Sequence, residues 1–146
     1  MLAYARLPIL LLAFAIYVVL PVAVRSNQEH EFGPEVSEFL DFLRQEDEEL
    51  EFQIARDEIS RKDYVRAKNR IAIMRETVTE IARNSGKDIV PELHVVTASE
   101  LTQVLDGGMK AIRGVKPGTV VEERWRYLGR ATKGEIYYIF ERVKKR

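Results

Sequence analysis

The chain has 146 residues, 23 of them basic and 23 acidic, and so carries no formal net charge. That balance gives no overall pull toward nucleic acid or an anionic surface and leaves only local patches to consider. There are no cysteines, which excludes a disulfide scaffold, a cysteine-based zinc or iron–sulfur site and a thiol nucleophile.

The first element in chain order is apolar. Leu7–Val24, LPILLLAFAIYVVLPVAV, runs for 18 residues without a charge. A helix of that length spans roughly 27 Å, close to the hydrocarbon thickness of a bilayer. The stretch predicts a transmembrane helix within an N-terminal segment 1–25, followed by a linker over 26–33. A cleaved signal peptide is the alternative. Cutting after Ala23 places Pro21 where a small residue is needed, whereas cutting after Ser26 places Val24 there. Uncleaved, the segment makes the chain a single-pass membrane protein with the lipid bilayer as a partner; cleaved, it leaves a secreted or periplasmic chain. Arg6 ahead of the span suits an N-inside orientation, with the remainder extracytoplasmic.

Two oppositely charged helices are predicted next, over 34–86. Between Glu29 and Glu58 stand 12 acidic residues against Arg44 and Arg56, and between Arg61 and Lys87 stand 8 basic against 3 acidic. Pro34 suits a first helical turn, and Val36, Phe39, Leu40, Leu43, Leu50 and Ile54 recur on a helical stripe. Tyr64, Ala67, Ile71, Met74, Val78 and Ile81 form a narrower seam of the kind that packs on another helix. Ser60 or Asp63 caps the second helix, and Asn84–Ser85–Gly86 stops it. A hairpin buries both stripes, which one continuous helix does not. Centred on Ser60–Arg61, the turn pairs Leu43 with Val78 and Leu40 with Ile81. The acidic helix then lies beside the basic one, and the two blocks screen each other.

The remainder, 87–146, predicts a small β-α-β-β unit packed on the hairpin. Leu93–Val96 reads as a strand, and Thr97 with Glu100 fits a capping box for a helix that ends at Gly107. Pro117–Gly118 fits a turn. Thr119–Leu128 reads as one strand with Val121, Trp125 and Tyr127 on one face and Glu122, Arg124 and Arg126 on the other. Gly129 and Gly134 bracket a hairpin loop. Glu135–Val143 is apolar on both faces, so it should be covered twice, once by the unit's own helix and once by the helical hairpin or by another chain. The fold class is therefore α+β: a transmembrane helix, a charged antiparallel helical hairpin and a small sheet unit ending in an antiparallel β-hairpin.

No motif names a reaction. His30 and His94 stand alone without the three or four convergent donors that a metal site needs, and no nucleophile elbow, P-loop or dinucleotide fingerprint is present. Adjacent Glu122 and Glu123 point to opposite faces of a strand and share no site. No catalytic, cofactor-binding or metal-ligating residue is expected, and the chain is read as not an enzyme. Two surfaces are candidates. Tyr137, Ile139 and Val143, on the second apolar face of the last strand, form a candidate partner surface for another protein or a second copy. Arg124, Arg126, Arg130 and Lys133, interleaved with Trp125 and Tyr127, form a candidate anionic-ligand patch. Strand parity sets the aromatics and arginines on opposite faces, so nucleic acid is disfavoured. The leading functional expectation is a membrane-anchored, non-catalytic interaction or assembly protein. The alternative is a cytoplasm-facing tethered binder of nucleic acid or anionic surfaces through the basic C-terminal hairpin.

Overall fold

The computed structural model describes residues 31–144. In chain order they form α1 (Pro34–Ala55), α2 (Arg61–Ser85), β1 (Leu93–Thr97), a 3-10 turn (Ala98–Glu100) running into α3 (Leu101–Val104), α4 (Met109–Ile112), β2 (Val120–Val121), β3 (Trp125–Lys133) and β4 (Glu135–Arg142).

The membrane expectation is corrected. No helix among the described residues is long and apolar enough to cross a membrane, because α1 and α2 both carry charge on nearly every turn. The span expected at 7–24, with its signal-peptide alternative, lies outside the described residues. What the structure supports is an α+β fold of helices on a small sheet. Among the described residues the single-pass topology, the bilayer as partner and the membrane localisation find no support, and both functional expectations are corrected there to an α+β domain with no membrane-crossing helix.

α1 and α2 are two helices rather than one, separated by Arg56–Ser60. Ser60 caps α2 by accepting a hydrogen bond from the Asp63 amide (3.1 Å), and Gly86 ends it in the left-handed conformation (φ 64°) that glycine adopts without strain. The register differs from expectation. Lys68 Nζ reaches Asp47 (2.7 Å) and Glu51 (2.9 Å), and the Tyr64 hydroxyl donates to Glu51 (2.6 Å). Val36 packs with Val78 and Ala82. The turn is thus centred near Glu58, because α2 begins only after it. The charge blocks also serve each other less than expected. Lys68 crosses to the acidic helix, but Arg66 pairs with Glu135 (2.6 Å) and Arg70 with Glu100 (2.5 Å), so these two cations of α2 face the sheet side of the molecule.

The N-terminus of α1 is capped from a distance. Gly33 has no side chain to offer, and the Asp88 carboxylate accepts from the amides of Glu35 (3.0 Å) and Val36 (2.9 Å). Glu35 returns the bond by accepting from the Val90 amide (3.1 Å). This is the logic of a capping box carried out between segments 52 residues or more apart.

The sheet has the order β1-β4-β3-β2, every neighbouring pair antiparallel. β4 lies inside the sheet between β1 and β3, and its two apolar faces are each covered by a different layer. On one face Phe140, with Val96, Trp125 and Tyr127, packs on Leu101, Val104, Leu105 and Ile112. On the other, Tyr137, Ile139 and Val95 pack on Ile73 of α2, with Met74 beside them. The second cover is therefore supplied by the same chain.

Thr119–Leu128 is not one strand. Glu122–Arg124 form a tight turn between β2 and β3, with Glu122 at φ 50° and Glu123 at φ 57°. The strain at Glu122 is offset by its carboxylate, which accepts from the amides of Asp106 and Gly107 (both 2.9 Å) and so ties this turn to the loop after α3. The expected loop bracketed by Gly129 and Gly134 is shorter too. β3 continues to Lys133 after a bulge at Leu128, and Gly134 alone (φ 74°) turns the chain.

Candidate functional site

A strand needs a neighbour on each side or a reason to go without one. β2 is two residues long and pairs with β3 only at Trp125 and Arg126. Before it, Thr119 and Gly118 bond the backbone of Tyr127, and Gly118 (φ 92°) then turns the chain away. Among the described residues, Leu128–Thr132 make backbone hydrogen bonds to β4 alone. Strand geometry turns the N–H and C=O of alternate residues in this stretch away from β4. Among the described residues the outer edge of β3 beyond Tyr127 is open.

That edge lies in a groove of about 780 Å³. Helix α2 forms one wall, with Glu76, Thr77 and Glu80. The segment that leads from α4 toward β2 forms the other, with Arg113 and Val115. Leu128–Ala131 and Ile139 line the bottom. The bulge shapes this region: Gly129 sits at φ 131°, which a side chain would strain, and a Cβ there would meet Pro117 at 3.8 Å. Registry assigns the walls. Arg130 lies opposite Tyr138, whose ring packs with the α3–α4 cluster, whereas Ala131 lies opposite Tyr137 beneath α2.

The residues singled out from the sequence fall in different places. Tyr137 is fully buried and Ile139 nearly so, both under α2, and Ile139 also reaches the groove. Val143 is half-buried, its amide bonded to the Arg124 carbonyl. Of the four basic residues, three are paired: Arg124 with Asp106 (3.1 Å) and Glu122 (3.4 Å), Arg126 with Glu141 (3.0 Å), and Lys133 with Glu76 (2.9 Å). Arg130 alone has no carboxylate partner among the described residues, and it lines the groove. The four are thus not one free cationic patch. Glu76, Glu80 and Arg113 were not legible as site residues, since each reads as an ordinary solvated charge until α2 and the loop after α4 are set on either side of β3.

Elsewhere, His94 stacks edge-on against Trp125 (ring centroids 4.6 Å) rather than joining any ligand set. Among the described residues no group of three or more His, Cys, Asp or Glu is placed to hold a metal ion. The displaced carboxylates are held by structural partners. Burial pushes Glu100 up, but the Thr97 amide, Arg70 and the Thr97 hydroxyl outweigh it and bring it down to about 2. The Gly107 amide lowers Glu122, and Arg66 lowers Glu135.

Comparison with known proteins finds no matching family model, no matching curated protein and no matching solved structure. The class is therefore defined by fold and site alone: an α+β domain whose four-stranded antiparallel sheet, among the described residues, leaves β1 unpaired on its outer side and leaves β3 beyond Tyr127 unpaired beside a helix.

Proposed function

We propose that the domain is a non-catalytic interaction module that takes up an extended segment of another polypeptide along the open edge of β3. The observation that carries this reading is the unpaired stretch Leu128–Thr132 lying in a groove beside α2. Strand addition at such an edge draws affinity from main-chain hydrogen bonds and selectivity from the flanking walls. The bulge at Leu128 and the charge of Arg130 discourage indiscriminate pairing with any exposed strand.

Selection of octapeptides from a random display library against the full chain tests this. Retained peptides should slow hydrogen exchange at amides within Gly129–Thr132. Retention of no peptide, or protection only at β1 or α1, would overturn the reading.

A further inference from the structure

We infer that the segment taken up is charge-patterned, with cationic side chains at the alternate positions that face α2 and anionic ones at the neighbouring positions that face Arg113 and Arg130. This rests on the strand-addition reading above and specifies its occupant.

An added strand would send successive side chains to opposite faces of the sheet, and the two walls differ in sign. On the α2 side stand Glu76 and Glu80. Lys133 already holds Glu76 at 2.9 Å, while Glu80 has no cation within ion-pair distance among the described residues. On the other side stand Arg113 and Arg130, neither with a carboxylate partner among the described residues. All three unpaired groups are exposed, and so is Glu76, with 64% of its side chain accessible.

Spacing agrees with this assignment. α2 runs along the sheet from Arg66 and Asn69, which meet Glu135 and the Lys133 carbonyl at the β3–β4 turn, toward Glu80 in the groove. Glu76 and Glu80 are one helical turn apart, about 6 Å along the axis, and same-face residues of a strand repeat at about 6.7 Å. Two cations in alternate positions of one strand therefore match two carboxylates on consecutive turns of α2. A uniformly basic segment would meet Arg113 and Arg130 with like charge, and a uniformly acidic one would meet Glu76 and Glu80. The groove selects alternation rather than net charge.

Two acetylated, amidated octapeptides of one composition make the test. Thr-Val-Lys-Glu-Lys-Glu-Val-Thr carries the alternation; Thr-Val-Lys-Lys-Glu-Glu-Val-Thr puts one charge of each sign on both faces. Titrated into the full chain and followed by amide chemical shifts, the alternating peptide should bind about tenfold more tightly, shift amides within Gly129–Thr132 and weaken with added salt. Glu80→Lys and Arg130→Glu, both at exposed positions, should erase that preference while leaving the melting temperature within a few degrees. Equal affinity of both peptides at the β3 edge would overturn the charge pattern and leave strand addition standing. Absence of edge shifts with either peptide would overturn both proposals. Concentration-dependent protection of the same amides without peptide would assign the edge to a second copy and likewise overturn both.

Discussion

Glu100 illustrates how one side chain links secondary structure, packing and pH. Its carboxylate accepts from the Thr97 amide and hydroxyl (both 2.9 Å), closing the capping box at the end of β1, and it receives Arg70 from α2. Thr97 is 2% exposed, so without Glu100 its polar groups would be buried with fewer partners. With the folded value near 2 and the ordinary value 4.5, the carboxylate contributes stability in full above pH about 4.5. That contribution is lost as pH falls from about 4.5 toward about 2 and amounts to at most about 3 kcal/mol. Glu100→Gln should therefore destabilise the domain at pH 7 and flatten its acid sensitivity in that window. Urea unfolding at pH 7, 4 and 3 measures both; unchanged acid dependence in the variant would contradict the assignment.

At the scale of elements, α1 depends on a cap that its own sequence lacks. Asp88 supplies it, and Gly33 permits the approach, since a Cβ there would collide with the Asp88 carboxylate. Asp88→Ala should cost about 1 kcal/mol, in the usual range for a lost cap. Gly33→Ala should cost at least as much, because the clash displaces the same carboxylate. In both variants hydrogen exchange should quicken first at Glu35 and Val36; global loss of stability without that local signature would argue against the cap. Such a contact was not legible in the sequence, where Gly33–Pro34 signals a helix start but nothing points across the chain to Asp88. The break at Glu122–Arg124 was hidden for a similar reason. Glutamate carries no turn signal, and positive φ is tolerated there because the carboxylate finds the Asp106 and Gly107 amides. By contrast, the stop at Gly86 and the two apolar faces of Glu135–Val143 were legible, since local chemistry or strand parity alone fixes each, and the cap of α2 was narrowed to Ser60 or Asp63, of which the structure uses Ser60. The charged groove is the opposite case: Glu80, Arg113 and Arg130 lie far apart in sequence and become one site only through the packing of α2 and the α4–β2 segment on β3.

Across the whole molecule, β4 is the element on which both halves converge, with the α3–α4 segment on one face and α2 on the other. Tyr137 is fully buried between α2 and the sheet, so Tyr137→Ser should lower stability by about 3 kcal/mol or more, as large-to-small core substitutions do. Chemical unfolding reads that loss directly. A variant as stable as the parent but altered in oligomeric state would instead mean that another chain covers this face. β4 has a paired strand on each side, whereas β3 beyond Tyr127 is paired with β4 alone, because β2 ends after two residues and Gly118 leads the chain away. Residue-resolved hydrogen exchange of the dilute, unliganded chain tests that open edge most directly. Alternate amides within Gly129–Lys133, those turned from β4, should exchange orders of magnitude faster than their neighbours bonded to it. Uniform protection along the stretch would show that the edge is already occupied and would contradict the account.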